Sequence, residues 1–141
     1  MATAGILLSM RKAILFLALN LSLFAQAAHQ VTLTFSDTSS NPPGTTYNVY
    51  RSTGACPSTP PTTTAAFMLL TAQPITVSPY VDTTVAAGTG YCYVMTSFIS
   101  PTLSGNGPLT SVPSNVAFAQ VPANGGVTVA IPPTINGAVA K

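Results

Sequence analysis

Charge is what this sequence most lacks. Of 141 residues, four are Lys or Arg and two are Asp or Glu. Arg11 and Lys12 lie near the start. From Ala28 onward the charged side chains are Asp37, Arg51, Asp82 and Lys141, which cancel. That leaves no basic patch for nucleic acid and no acidic face for a cationic partner. Tryptophan is absent and His29 is the single histidine. A Ser–His–acid arrangement would have to use His29, at the very start of the mature region, whereas a general base needs rigid surroundings. Cys56 and Cys92 lack C-x-x-C spacing, which argues against a redox or metal-binding pair. No G-x-x-x-x-G-K phosphate loop occurs, so Ser104-Gly105-Asn106-Gly107 reads as a loop tip. No N-x-S/T acceptor occurs after residue 27. Asp37 and Asp82 each read as a turn or backbone cap. Arg51 reads as a surface ion pair or a cover for apolar surface. The expectation is no catalytic site, no cofactor and no metal.

What is abundant is hydroxyl and proline. From Ala28 on there are 20 Thr and 11 Ser, and all 13 prolines lie there. Thr favours strands while Pro, Gly, Ser and Asn punctuate turns, a mixture that fits short strands with many loops. The N-terminal part differs. Arg11-Lys12 precedes an apolar run, Ala13–Phe24, and Ala25-Gln26-Ala27 has the A-x-A form of a cleavage site. As a helix that run would rise about 18 Å, short of the roughly 30 Å hydrocarbon core. Residues 1–27 are therefore expected to be a signal peptide, with Met10 as a second candidate start and no stable membrane span after cleavage. The signal implies a secreted, periplasmic or cell-surface protein in an oxidising compartment.

Along the mature chain, Val31, Leu33 and Phe35 alternate with Thr32, Thr34 and Ser36, a half-buried strand. Further strands are expected at 45–51, with Tyr47 and Val49 on one face, at 67–71 continuing to 75–77, at 80–83, at 89–99 and at 112–121. The turn before the longest strand falls at Ala87-Gly88. Residues 52–64 read as a Pro/Thr loop and 100–111 as a Gly/Pro/Ser loop. Val127–Ile131 alternates again inside the 123–141 tail. This many short strands joined by turns predicts one all-β domain, a sandwich or small barrel.

Three blocks carry a more specific likeness: HQVTLTFSDT at 29–38, TTYNVYRSTG at 45–54 and YVDTTVAAGTGYCYVMTS at 80–97, closed by PSNVAFAQVP at 113–122. Over 28–122 the chain resembles a fibronectin type III domain of secreted bacterial proteins, with an immunoglobulin-like β-sandwich. The resemblance implies that Tyr91 is the corner tyrosine, its ring buried and its hydroxyl bonded to nearby backbone. Tyr93 and Met95 then join Val31, Leu33, Phe35, Tyr47 and Val49 in the core. Phe35 stands where the family usually has Trp. The family's first strand would precede His29, so it is missing or replaced, with 127–131 able to fill the edge in cis or a partner chain to fill it in trans. In such a sandwich the strands near Cys56 and Cys92 are neighbours. Two cysteines in an exported chain most simply form one disulfide, with Cys92 on the outer sheet face.

The resemblance implies an exported, non-enzymatic spacer or interaction module, whose partner is a protein or a cell-surface polysaccharide. An Arg-Gly-Asp tripeptide is absent, so the cell adhesion of animal relatives does not carry over. The candidate interaction loop is Ser100–Ser111, with Ser100, Ser104, Gly105, Asn106, Gly107 and Ser111. One alternative is a carbohydrate-binding module built on exposed aromatics, for which Tyr50 and Phe98 are the candidates. Another is a strand-exchanging subunit of a surface fibre. The oligomeric state is left open.

Overall fold

Alternation of apolar and hydroxyl side chains drives this chain into strands, because period two is the repeat of the pleat. The computed structural model describes residues 29–38 and 40–124, and the backbone of two further strands at 127–130 and 134–135. The expected signal and Ile131 lie outside the described residues. In chain order the elements are β1 (Gln30–Leu33), β2 (Ser36–Asp37), β3 (Thr46–Thr53), β4 (Met68–Leu69), β5 (Tyr80–Asp82), β6 (Gly90–Ile99), α1 (Pro101–Ser104), β7 (Leu109–Thr110), β8 (Ala117–Gln120), β9 (Val127–Ala130) and β10 (Thr134–Ile135). The protein is all-β.

One sheet has the order β5-β1-β9, and a larger one β4-β3-β6-β7 with β8 also on β6. β2 and β10 form a small parallel pair. Inward residues of both main sheets meet in one core: Val31 and Leu33 from β1, Tyr47 and Val49 from β3, Tyr91, Tyr93 and Met95 from β6, and Ala117 and Ala119 from β8. Phe35, beyond the end of β1, is only partly buried and tilts against Tyr47 with ring centroids 5.2 Å apart. Gly88 sits at φ +69 in the turn before β6, a left-handed conformation that costs glycine little.

The C-terminal segment fills the edge of the smaller sheet. β9 runs parallel to β1, pairing Gln30 with Val127 through Leu33 with Ala130. β5 covers the other side of β1 antiparallel. β9 thus occupies the flank of β1 that the 127–131 segment was expected to be able to fill in cis.

Two expected strands are shorter than the sequence suggests. The segment predicted over 67–71 pairs only at Met68 and Leu69, and Ile75 makes an isolated bridge with Tyr47. Between them Thr71 offers its hydroxyl to the Val49 N–H at 3.2 Å, a side chain standing in for a strand. The strand predicted over 112–121 begins at Ala117. Pro113 lacks an N–H for the ladder, and serines replace the regular pairing on either side. The Ser111 and Ser114 N–H groups donate to the Ser97 and Met95 carbonyls at 3.0 and 2.8 Å. Their hydroxyls in turn accept from the Ser97 and Met95 N–H groups at 2.9 and 3.0 Å. β6 therefore keeps satisfied backbone groups along an edge where no continuous strand lies. The loop expected over 100–111 contains the short turn α1 and the two residues of β7.

Candidate functional site

β3 presents Tyr47 and Val49 to the core, and strand alternation turns Arg51 to the same side. A cation there needs a partner, and β5 supplies Asp82. Arg51 Nη1 donates to Asp82 Oδ2 at 2.6 Å and to Thr84 Oγ1 at 2.9 Å. The Tyr93 hydroxyl donates to the same carboxylate oxygen at 3.0 Å. The Thr84 N–H and hydroxyl donate to Asp82 Oδ1 at 2.9 and 2.7 Å. Arg51 also lies over the Tyr91 ring, 4.7 Å from its centroid, a cation–π contact. The side chains are 11% and 1% exposed for Arg51 and Asp82. Arg51 is thus not the surface pair expected from the sequence, and Asp82 is a buried hub rather than only a turn cap. The reason is strand parity at residue 51.

Burial pushes the Asp82 carboxyl up, but the bonds from Thr84, then Arg51 and Tyr93, outweigh it and hold it below the usual carboxylate range. Burial works against the Arg51 charge, yet the Asp82 carboxylate raises it. Burial first, then the neighbouring carboxylate, pushes the Tyr93 phenol upward. A carboxylate with donors on both oxygens and almost no exposure is a structural acceptor. It has no free lone pair to offer a substrate.

Asp37 anchors a second, smaller cluster. Its Oδ2 accepts from the Tyr47 hydroxyl at 2.7 Å and from Asn41 Nδ2 at 2.8 Å. Burial, with the bonded and neighbouring Asp37 carboxylate, pushes the Tyr47 phenol up to about 12. Among the described residues no three His, Cys, Asp or Glu side chains gather closely enough to hold a metal ion.

Tyr91 lies on β6 with its side chain in the core. Its ring is buried and its hydroxyl accepts from the Ala86 N–H at 2.9 Å. Cys56 and Cys92 are joined by a disulfide, closing 36 residues of separation. Cys92 lies opposite the inward Tyr91 and Tyr93 on β6, but it is fully buried rather than open to solvent.

The candidate interaction loop is ordered by its own hydroxyls. Ser100 and Thr102 share a bond at 2.8 Å, and the Ser104 hydroxyl donates to the Gly107 carbonyl at 2.9 Å while accepting from the Asn106 N–H at 3.2 Å. Gly105, at φ +70, closes α1 through its N–H to the Pro101 carbonyl at 3.1 Å. Gly105, Asn106 and Gly107 are exposed, while Ser100 and Ser104 are half-buried. Ser111 does not belong with them. It is buried against β6, where its hydroxyl serves the Ser97 N–H. Of the aromatics among the described residues, Tyr50 and Phe98 are half-buried and Phe118 is exposed.

Comparison with protein-family models, with curated proteins and with solved structures found no match for this chain. The disulfide fits an extracellular protein. Among the described residues no helix is long and apolar enough to cross a membrane.

Proposed function

We propose that this chain is an exported, non-enzymatic β-sandwich module of fibronectin type III character, acting as a spacer or a protein-interaction and adhesion domain. One observation carries the reading. The acids, the internal arginine and the cysteines are consumed by folding: both carboxylates accept internal hydrogen bonds, Arg51 is paired, and both cysteines are bridged. What remains for a partner is loop surface on a rigid frame. The Ser100–Gly107 turn suits that role because its internal bonds reduce the ordering cost of binding.

The test is a pull-down from the envelope and extracellular fractions with immobilised residues 28–141. Capture of a defined protein or polysaccharide, weakened by Leu103→Ser with Asn106→Ala, is the expected result. Turnover of peptide, ester or glycosidic substrates by the purified protein would overturn the non-enzymatic reading.

A second reading, strand exchange in a fibre, draws on β9. This strand comes from the end of the chain and pairs with β1 in parallel. The same pairing between copies would join subunits. Concentration-dependent assembly that disappears on deleting residues 123–141 would favour it over the spacer. The carbohydrate-binding reading draws less support, since Tyr50 and Phe98 present no flat exposed row.

A further inference from the structure

The loop between β3 and β4 has no part in the function proposed above. It carries Pro57, Pro60 and Pro61 interleaved with Ser58, Thr59, Thr62, Thr63 and Thr64, then Ala65 and Ala66. Proline fixes φ and lacks an N–H, so this stretch stays outside the ladder, bending at Ser58, Thr59, Thr62 and Thr64. The disulfide at Cys56 pins its start, and a turn bond from the Phe67 N–H to the Thr64 carbonyl at 2.9 Å pins its end. Ser58, Thr59, Thr62 and Thr63 are exposed, and Thr64 is half-buried. Elsewhere hydroxyls are put to structural use, as in Thr45, Thr71, Thr84, Ser111 and Ser114. In this loop four of the five hydroxyl residues are exposed, set among prolines and alanines.

A short edge with exposed apolar side chains lies directly beyond the loop. Met68 and Leu69 of β4 are 56% and 50% exposed. Proteins commonly guard such edges with charge. Here Asp37, Arg51 and Asp82 are all engaged internally, so the described surface has none of their charges to spare.

We propose that Ser58, Thr59, Thr62, Thr63 and Thr64 are acceptors for O-linked glycosylation. Each transfer needs a phosphate-activated sugar and a glycosyltransferase. The side-chain Oγ attacks the anomeric carbon, forming the C1–Oγ bond. The bond from C1 to the phosphate oxygen breaks, the phosphate departs with its electron pair, and the hydroxyl proton passes to a base of the transferase. The sugars supply the hydration that charge does not, beside the Met68–Leu69 edge. The proposal rests on export of the chain.

The test is intact-mass spectrometry and glycopeptide mapping of protein recovered from the medium or envelope of cells that naturally make it. The expected mass exceeds that of the processed chain by whole hexose or N-acetylhexosamine residues. Fragmentation should place them within residues 58–64. Replacing all five hydroxyl residues by Ala should remove the increment and leave the melting temperature of the deglycosylated protein unchanged. An exported chain of unmodified mass, or sugars confined to other segments, overturns glycosylation while leaving export intact. A chain retained in the cytosol with residues 1–27 attached overturns both.

Discussion

Asp82→Asn probes the ion pair that ties β3, β5 and β6 together. The substitution keeps the shape and removes the charge. Asp82 receives a backbone N–H and a hydroxyl on one oxygen, and a guanidinium and a phenol on the other. Asparagine has one carbonyl oxygen and one amide that only donates. The Thr84 and Tyr93 hydroxyls can rotate away from that amide. The Thr84 N–H and Arg51 Nη1 cannot become acceptors, so either orientation sets two donors against each other. The Arg51 guanidinium also loses its counter-charge at 11% exposure. Breaking a buried pair from one side costs about 3–5 kcal/mol, against a total of about 5–15 kcal/mol for an ordinary domain. Urea unfolding followed by circular dichroism and tyrosine emission should show the midpoint fall with little change in slope. A loss below about 1 kcal/mol, the range of an exposed pair, would refute the buried-hub reasoning.

The same residue sets an acid limb. Its folded carboxyl lies below its unfolded value, so its stabilisation is fully present above about pH 4 and is lost as pH falls through the folded value. Asp82→Asn should flatten that limb. An acid-unfolding profile unchanged in shape would count against it.

Three other perturbations probe the geometry elsewhere. Replacing Cys56 and Cys92 together by Ala frees a 36-residue separation, which the chain-entropy treatment converts to about 4 kcal/mol; a denaturation midpoint equal to that of the oxidised parent would refute it. Ser114→Ala removes the acceptor for the buried Met95 N–H, at about 1–3 kcal/mol, and should speed hydrogen exchange of that amide; unchanged protection would mean the hydroxyl is dispensable. The Tyr47 phenol, raised to about 12, contributes stability present below about pH 10 and lost as pH climbs toward the folded value. Tyr47→Phe should reduce the alkaline fall in stability, and an identical alkaline profile would reject the assignment.

Side-chain parity was legible along the chain, and partner choice was not. The alternation at Val31, Leu33, Tyr47, Val49, Tyr91, Tyr93 and Met95 places each on the face where it is buried. The same parity extended to Arg51 puts a cation inward, and a sequence with only Asp37 and Asp82 as acids offers few partners. That signal was in the sequence, but short-range reading makes Arg51 a surface residue and Asp82 a cap. The serine bonds to β6 are a different case. They depend on Ser111 and Ser114 meeting Ser97 and Met95 across the fold, and no local pattern distinguishes them from loop serines. For β9, alternation marks a strand without saying that its neighbour is β1 or that the pairing is parallel.

Edge protection in this chain comes from brevity, proline and its own C-terminal strand, since charge is not available. β4 has two residues and β5 three. Strands so short offer an incoming chain few ladder bonds, too few to offset the ordering entropy of docking. Pro79 directly precedes β5 and cannot extend its donor row. β1 is longer, and its Val31 and Leu33 are fully buried. An open flank there would expose a longer backbone template beside the core. β9 covers that flank along all four residues of β1. The flank of β1 beside the core is therefore closed by the chain itself, while β4 and β5 stay too short to template assembly. Deleting residues 123–141 inverts this arrangement, so the truncated protein should associate through β1 as its concentration rises.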